Sequence, residues 1–279
     1  MRYIIADAGS TKTDWATIVD GKVCERMAGS GINPSVMSED EIRKAVVEVS
    51  QLFIDASPDA VYFYGAGCKA EVAHKVEKVI SEIAKFTHIY IYTDMLGAAR
   101  SVLADRAGVV CILGTGSNSC LYDGIRIVGN VSPLGYILGD EGSGASLGRI
   151  LVGEIIKGSL MHLKDHFFNE YNLNESAIIE RVYRGSYPNR FLASFAPFLF
   201  KHRNDEMVKQ LIVNEFKRFV ERNVSHYSRT DLPVCFVGSV AWWFKDELTI
   251  AINESGYKLG TILQSPLEGL LGFHAENRI

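Results

Sequence analysis

Several side chains of this sequence stand where α/β proteins place groups that act on a ligand. Asp94 comes two residues after the end of the β-rich run 88–92, and the carboxyl end of a buried strand is the edge at which α/β sheets bind ligands. An aspartate in this place can accept a proton from a substrate hydroxyl. The alternative is structural, because aspartate is also a common N-cap of the helix that follows a strand.

A glycine-rich turn near the start of the chain joins two strands. Residues 7–13 read Asp-Ala-Gly-Ser-Thr-Lys-Thr, and because no helix follows them they form neither a P-loop nor a dinucleotide-binding turn. A tight turn of small residues can direct backbone N–H groups and hydroxyls at phosphate oxygens. Asp7 repels phosphate, so its presence favours a Mg²⁺ ion held directly or through water. A polar hairpin tip with an incidental aspartate is the alternative.

Three further clusters lie in the second half of the chain. Residues 113–118 (Leu-Gly-Thr-Gly-Ser-Asn) form another strand-to-strand turn. Residues 139–143 (Gly-Asp-Glu-Gly-Ser) place two carboxylates between glycines, which suits close approach of a ligand, although such a loop can equally be an N-cap. Residues 237–240 (Val-Gly-Ser-Val) lead from a strand into a helix. Their small side chains suit a nucleotide base or ribose, and also the close packing of a helix on its strand.

The elements that position these clusters repeat along the chain. The first half predicts two strands within 3–18, a strand at 22–27, a helix at 38–55, a strand at 61–64, a helix at 71–85, a strand at 88–92 and a helix after Asp94. The second half predicts a strand at 109–113, a second strand, a third at 125–128, helical sequence over 142–227, a strand at 234–237, a helix at 241–254, a strand at 257–263 and a helix at 266–277. An Asp-Gly turn closes the same hairpin in both halves, at 20–21 and 123–124. We therefore expect an α/β protein with a duplicated βββαβαβα domain and a helical insertion in the second copy.

The length of the chain agrees with two such domains. It has 279 residues, and a domain commonly takes about 100–200. We expect an N-terminal domain over 1–106 and a C-terminal domain over 107–279. The helical insertion would span about 160–230, and the last helix, 266–279, would pack back on the first domain.

Composition excludes several other classes of protein. Hydrophobic residues make up 47% and charged residues 22%, which is a globular balance, and the net charge of −4 argues against binding to nucleic acid or to an anionic membrane. The five cysteines are scattered, so reduced, mostly buried thiols are expected instead of disulfides or a zinc site. No apolar run reaches the ~18 residues of a membrane helix, and we expect a cytoplasmic protein. Many of the 25 glycines fall in the turns described above.

The clusters, taken in order, resemble the sugar kinase, Hsp70 and actin superfamily, and within it the BadF/BadG/BcrA/BcrD-type ATPase family that includes N-acetylglucosamine kinase. Residues 7–13 resemble the first phosphate motif, residues 114–118 the second, and residues 139–143 the Gly-Asp-Glu-Gly-Ser signature. Residues 237–240 resemble the adenosine motif, with Ser239 in place of the usual second glycine. Leu134 stands where the mammalian-type enzyme has a tryptophan beside the sugar. The resemblance implies duplicated ribonuclease H-like domains of the actin-like ATPase fold.

The same resemblance implies a role for individual residues. Asp94 would be the catalytic base, and Asp7 would hold Mg²⁺, directly or through water. The residues that match sugar contacts are Asn33, Gly116, Asn118 and Asp140. The residues that match ATP and phosphate contacts are Gly9, Ser10, Thr11, Lys12, Thr13, Gly114, Thr115, Gly238 and Ser239.

The implied activity is transfer of a phosphoryl group from ATP and Mg²⁺ to the 6-hydroxyl of an N-acetylated amino sugar, with N-acetylglucosamine as the first choice. N-acetylmuramic acid and glucosamine remain open as acceptors. A regulatory ATPase of the same fold, without a sugar acceptor, is the rival class. The partners would be the small sugar and ATP, with no nucleic acid and no membrane, and a homodimer is left open.

Overall fold

The computed structural model describes residues 1–9, 11–54, 58–84 and 88–276, which form two compact units. Unit 1 comprises Met1–Arg106, Asp123–Ile127 and the residues from Ser265 onward, and unit 2 comprises Ala107–Tyr122 and Val128–Gln264. Each unit contains one five-stranded mixed sheet with helices packed on it. The domain boundaries expected from the sequence, 1–106 and 107–279, stay a prediction.

Unit 1 consists of a three-stranded meander followed by two parallel strands. Its elements are β1 (Arg2–Ala8), β2 (Lys12–Val19), β3 (Lys22–Ser30), α1 (Glu39–Val47), α2 (Gln51–Ile54), β4 (Ala60–Gly65), α3 (Ala70–Ile83), β5 (His88–Thr93), α4 (Asp94–Leu103) and the last helix of the chain, α14 (Leu267–Ala275). The strand order is β3-β2-β1-β4-β5, with β4 parallel to both β1 and β5. α14 packs against α4, β1 and β2.

Unit 2 repeats this plan. Its elements are β6 (Gly108–Leu113), β7 (Ser117–Tyr122), β8 (Ile127–Val131), α5 (Gly135–Leu138), α6 (Gly144–Lys157), α7 (Lys164–Tyr171), α8 (Glu175–Arg184), α9 (Pro188–Ala193), α10 (Ala196–Lys201), α11 (Glu206–Arg222), β9 (Pro233–Val237), α12 (Ser239–Trp243), α13 (Lys245–Glu254) and β10 (Lys258–Leu263). The strand order is β10-β9-β6-β7-β8, so meander and parallel strands occupy the same places as in unit 1. The expected α/β class with a duplicated βββαβαβα unit and a helical insertion is confirmed.

Local signals of the sequence explain where some helices begin. The hydroxyl of Ser38 accepts a hydrogen bond from the backbone N–H of Glu41 (3.3 Å), and the Glu41 carboxylate accepts one from the Ser38 N–H (2.8 Å). This is a capping box, which satisfies N–H groups that the first helical turn leaves without partners. The predicted start of α1 is therefore confirmed.

Two helices predicted as continuous are broken. The helix predicted over 38–55 ends at Val47, and the carboxylate of the next residue, Glu48, accepts hydrogen bonds from both the N–H and the hydroxyl of Ser30 on β3 (2.8 Å each). The predicted end at Asp55 lies outside the described residues. The helix predicted over 241–254 is divided at Phe244, whose buried ring packs against Phe200. In both places a tertiary contact accompanies the break in the helical pattern.

The core of unit 2 contains the aromatic side chains of the insertion. The rings of Phe195, Phe198, Phe216 and Phe219 are fully buried, and Phe191 packs partly buried against them. Cys24 is exposed, the other four cysteines are buried, and all five are free thiols, as expected. No helix in the described ranges is both long and apolar enough to span a membrane.

Candidate functional site

Unit 1 brings Asp7 and Asp94 to the carboxyl edge of its parallel strands. β1, β4 and β5 are neighbours, with Ala8 paired to Gly65 and Gly65 paired to Thr93. Asp7 is therefore near the end of β1, and Asp94 begins α4 directly after β5. The charge of Asp94 contributes to raising the pKa of Asp7, which reflects their closeness. Ligands of α/β sheets bind at this edge.

The first glycine-rich turn is a tight hairpin tip. The Gly9 N–H donates to the Lys12 carbonyl (2.9 Å), so this amide is engaged within the turn. Thr11 and Lys12 are exposed, and the Lys12 ammonium lies 2.6 Å from an Asp14 carboxylate oxygen. Among the described residues of this turn, Thr11 and Lys12 are therefore exposed to a ligand.

Two of the predicted phosphate contacts in this turn need separate comment. Ser10 lies outside the described residues. Thr13 is fully buried at the start of β2, and its hydroxyl has no hydrogen-bond partner within the described part of the chain. A contact between Thr13 and phosphate stays a prediction that needs movement of the turn.

The surroundings of Asp7 fit a cation. Burial raises its pKa to about 7 and the nearby Asp14 adds to this, whereas a hydrogen bond from the Ser265 hydroxyl (3.3 Å) lowers it. A divalent cation would stabilise the ionised carboxylate. The described residues contain no cluster of three or more His, Cys, Asp or Glu side chains suited to a metal. This donor set suits Mg²⁺, which keeps several waters and takes one or two carboxylates together with phosphate oxygens.

Asp94 is available for chemistry because another residue caps its helix. The N-cap of α4 is Thr93, whose hydroxyl accepts a hydrogen bond from the Leu96 N–H (3.2 Å). The Asp94 carboxylate accepts hydrogen bonds from backbone N–H groups, among them that of Met95 (2.9 Å to Oδ1), and no ion pair joins it to a cation in the described ranges. Burial raises the pKa of Asp94, while the backbone hydrogen bonds lower it. The structural alternative, an N-cap aspartate, does not apply here.

Asn33 lies in a loop that packs against the turn after β4. Its Oδ1 accepts the Ser35 N–H (3.1 Å), and the Ser35 hydroxyl donates to the Gly67 carbonyl (2.7 Å). Gly67 has φ +72°, and a Cβ there would lie 2.1 Å from Asn33 Oδ1, so only glycine permits this approach. Lys75 donates to the carbonyls of Pro34 and Met37 (3.1 and 3.2 Å), which holds the loop from the other side.

In unit 2 the second glycine-rich turn is fastened to the start of α6. The Gly114 N–H donates to the Gly116 carbonyl (2.9 Å). The N–H groups of Gly144 and Ala145 donate to the carbonyls of Gly114 and Thr115 (2.8 and 3.1 Å). Thr115 remains exposed at the tip, so its hydroxyl is the group of this turn that is best placed to meet a phosphate.

Asp140 lies directly against this turn. One of its carboxylate oxygens accepts the Ser117 N–H (3.3 Å), and a Cβ on Gly116 would be 3.1 Å from the other oxygen. Asp140 has φ +52° and is 8% exposed. Burial raises its pKa, the Ser117 N–H lowers it, and the neighbouring Glu141 raises it. Asp140 and the residues 116–118 therefore form one polar surface.

The loop of Asp140 is held by α11. The buried carboxylate of Glu215 accepts hydrogen bonds from the Gly142 N–H (3.0 Å) and the Ser146 hydroxyl (2.5 Å). Glu141 is also buried, with Arg222 Nε 2.6 Å from its Oε1. Sequence analysis missed Glu215, because nothing near it along the chain indicates that it reaches a loop 73 residues away.

Ser239, which directly follows Gly238, borders a cavity of about 480 Å³ within unit 2. Gly238 has φ +124°, and a Cβ there would lie 2.3 Å from the Leu113 carbonyl oxygen, so glycine is required. The walls are mainly apolar: Ala193, Ala196, Pro197, Phe200, Val240, Trp243 and Phe244, with Gly114, Thr115, Gly144 and Ser239 completing the lining. A flat apolar ring fits such a cavity.

Sequence analysis missed the walls contributed by α9 and α10. Phe200 packs edge-to-face on Trp243, with ring centroids 5.2 Å apart. Only the fold shows that Phe200 faces a cavity shared with the turn at 114–115. The pair Trp242-Trp243, next to the predicted motif, was the available signal.

Comparison with solved structures places the chain in a family. No protein-family model and no curated protein matches it. The "Putative N-acetylglucosamine Kinase" of Porphyromonas gingivalis is 45% identical and superposes with a TM-score of 0.93, covering 99% of this chain and 100% of its own. A protein of the same description from Chromobacterium violaceum is 20% identical (TM-score 0.76; 98% of each chain). A ROK family glucokinase from Streptomyces griseus, solved with glucose and AMPPNP, is 15% identical (TM-score 0.56; 98% of each chain).

The two more distant matches share the fold alone. None of these structures is described as a BadF/BadG/BcrA/BcrD-type ATPase, so membership of that family stays a prediction. The identity over nearly the whole length of both chains is decisive for the family. The chain belongs to the family of the Porphyromonas gingivalis protein, among the sugar-kinase-like proteins of the actin-like ATPase fold.

Proposed function

We propose that this chain is an ATP-dependent sugar kinase that phosphorylates the 6-hydroxyl of an N-acetylated amino sugar, with N-acetylglucosamine as the preferred acceptor. The observation that carries the proposal is Asp94, a partly buried carboxylate at the ligand-binding edge of a sheet that neither caps a helix nor pairs with a cation in the described ranges. The description of the 45% identical protein supports the choice of acceptor.

Asp94 would orient the sugar hydroxyl and take its proton. Burial raises its pKa, which makes the carboxylate a better proton acceptor than an exposed aspartate. Phosphoryl transfer needs little covalent help from the protein, because its transition state is loose and catalysis comes from positioning and charge stabilisation. One oriented carboxylate is therefore sufficient as the base.

The predicted phosphate contacts Thr11, Lys12 and Thr115 are exposed, and their side chains would donate hydrogen bonds to phosphate oxygens. The cavity lined by Ser239, Phe200 and Trp243 would take the adenine. Asp7 would hold Mg²⁺ together with phosphate and water oxygens, and the ion would neutralise charge on the phosphates.

The residues proposed to contact the sugar are Asn33, Gly116, Asn118 and Asp140. Asp140 and Asn33 are each held by the hydrogen bonds described above, so their oxygens are fixed before the ligand arrives. Fixed polar groups lose little conformational freedom on binding, which favours affinity for a ligand with several hydroxyls.

A coupled assay of ADP release over a panel of sugars tests this proposal. We expect release that depends on N-acetylglucosamine and falls by about 10²–10⁴ in kcat for Asp94→Asn, since this is the usual contribution of a general base. Asp59→Asn, which removes a carboxylate hydrogen-bonded to the Arg2 N–H, is the matched control and should keep normal turnover. Preference for N-acetylmuramic acid or glucosamine would change the acceptor, and sugar-independent hydrolysis would favour the regulatory ATPase.

A further inference from the structure

The Asn118 side chain is held in one orientation through its carbonyl oxygen. Oδ1 accepts the backbone N–H of Ser119 (2.9 Å) and a proton from Asn130 Nδ2 (3.0 Å). A backbone N–H can only donate, so the Asn118 atom that faces it must be the oxygen. The two ends of this side-chain amide are therefore distinguished by its chemical surroundings.

Asn130 is fixed by the same reasoning. Its Nδ2 lies 2.5 Å from the backbone carbonyl oxygen of Ser119, which can only accept. The Nδ2 group thus donates to two oxygens on β7, one from the backbone and one from Asn118. Flipping either amide would bring two donors or two acceptors together.

This arrangement leaves the Asn118 Nδ2 group available to a ligand. It has no hydrogen-bond partner among the described residues, and the side chain is partly exposed. Asp140, which is bonded to the adjacent residue Ser117, offers carboxylate oxygens that only accept when ionised. Unit 2 therefore offers a donor at Asn118 beside an acceptor at Asp140.

We propose that Asn130 is a positioning residue that makes Asn118 a hydrogen-bond donor to an acceptor oxygen of the sugar. The proposal rests on the proposed function, in which Asn118 contacts the sugar. Asn130 does not touch the ligand itself in this account; it acts by fixing which end of the Asn118 amide faces outward.

Asn130 is not needed to hold β8 against β7. The Tyr227 hydroxyl accepts the Val131 N–H (3.0 Å) and is hydrogen-bonded to the Ser119 hydroxyl (2.8 Å), which joins both strands independently. Asn130 is also exposed. Variants at this position should therefore fold.

The test compares Asn130→Asp with Asn130→Ala in sugar-saturation kinetics. Aspartate keeps the shape of asparagine but replaces the donor with an acceptor. It would attract the Asn118 Nδ2 group and turn the Asn118 oxygen toward the ligand. Alanine removes one of two anchors and leaves the Ser119 N–H in place. We expect the KM for sugar to rise about 3- to 10-fold for Asn130→Ala, as for one lost hydrogen bond, and by more for Asn130→Asp.

Both variants should keep kcat, the KM for ATP and the melting temperature near normal. Val128→Ala, at an exposed position of the same strand face, is the control and should change none of these values. A purely structural role would instead lower the melting temperature of both variants and raise the KM for ATP together with the KM for sugar. An Asn130→Asp enzyme that equals the wild type, or is less affected than Asn130→Ala, overturns the proposal.

Neutron diffraction from sugar-free crystals soaked in D₂O tests the orientation without any activity. The deuterons of Asn118 should lie on the side away from the Ser119 nitrogen, and the reverse orientation overturns the proposal. A wild-type enzyme without sugar-dependent ADP release would instead overturn the proposed function, and this proposal with it. An active enzyme with indifferent Asn130 variants would overturn this proposal alone.

Discussion

The carboxylate of Glu215 is predicted to be the main support of the loop that carries Asp140. Its Oε1 accepts hydrogen bonds from the Gly142 N–H and the Ser146 hydroxyl, and only 3% of Glu215 is exposed. Glu215→Ala leaves both donors buried without a partner. A hydrogen bond to a charged group contributes about 1.5–3 kcal/mol, so the loss of two should lower the free energy of unfolding by about 3–6 kcal/mol.

Three variants separate this effect from general damage to α11. Glu215→Gln keeps an acceptor oxygen in the same place and should lose about 1 kcal/mol. Gln210→Ala, an exposed position on the same helix, should stay within about 0.5 kcal/mol of the wild type. If Glu215→Ala fails to fold, Ser146→Ala isolates one of the two hydrogen bonds and should cost about 1.5–3 kcal/mol.

Urea unfolding followed by circular dichroism measures these free energies, and saturation kinetics measure the consequence for the site. The KM for sugar should rise in Glu215→Ala more than the KM for ATP, because the loop carries Asp140. The reasoning is refuted if Glu215→Ala is as stable as Gln210→Ala, or if Glu215→Gln is as damaging as Glu215→Ala.

Three further predictions concern packing, pH and nucleotide choice. In α6, Gly148→Ala should destabilise the protein by at least about 1–3 kcal/mol, because the new Cβ would lie 1.9 Å from the Leu192 carbonyl oxygen. In the same helix the Cβ of Gly153→Ala meets open space, so this variant should stabilise the protein by about 0.5–1 kcal/mol. Equal urea midpoints for the two variants would contradict this prediction. Burial, with the charge of Arg100 adding, lowers the pKa of His274 to about 3. The folded state resists protonation of His274, so its contribution to stability is present above the unfolded pKa of about 6.5 and is lost toward pH 3, by up to about 1.4 kcal/mol per pH unit. The unfolding free energies of the wild type and His274→Gln should therefore change with different slopes between pH 6.5 and 4. Parallel slopes would contradict this prediction. The mainly apolar lining of the cavity offers few side chains that could hydrogen-bond to the edge of a base. The kcat/KM values for ATP and GTP should therefore differ by no more than about 100-fold in a coupled assay. A larger preference would contradict this prediction and show that backbone groups distinguish the bases.

The sequence predicts the fold well wherever local chemistry decides the structure. The capping box at Ser38 and Glu41 and the repeated order of strands both depend on neighbouring residues, and both appear in the structure. The break after Val47 coincides instead with Glu48 reaching Ser30 on β3, which no helical pattern contains. Long-range hydrogen bonds are therefore where the sequence-based account of the elements is incomplete.

The candidate site shows the same division. Glycine-rich turns marked Asp7 and Asp140 as candidates because unusual residue types cluster in them, and the end of a predicted strand marked Asp94. The groups that hold such residues in place carry no local signal: Glu215 lies in an ordinary amphipathic helix, and Asn130 lies on an exposed strand. Positioning residues of this kind become visible only when the chain is folded.

Product analysis tests the central claim most directly. The purified protein is incubated with ATP, Mg²⁺ and N-acetylglucosamine, and the product is examined by mass spectrometry and by ³¹P–¹H correlation NMR. The account predicts one phosphate on the 6-oxygen of the sugar for each ADP formed, and almost none with Asp94→Asn. Release of ADP without a phosphorylated sugar, or full activity in Asp94→Asn, would contradict it.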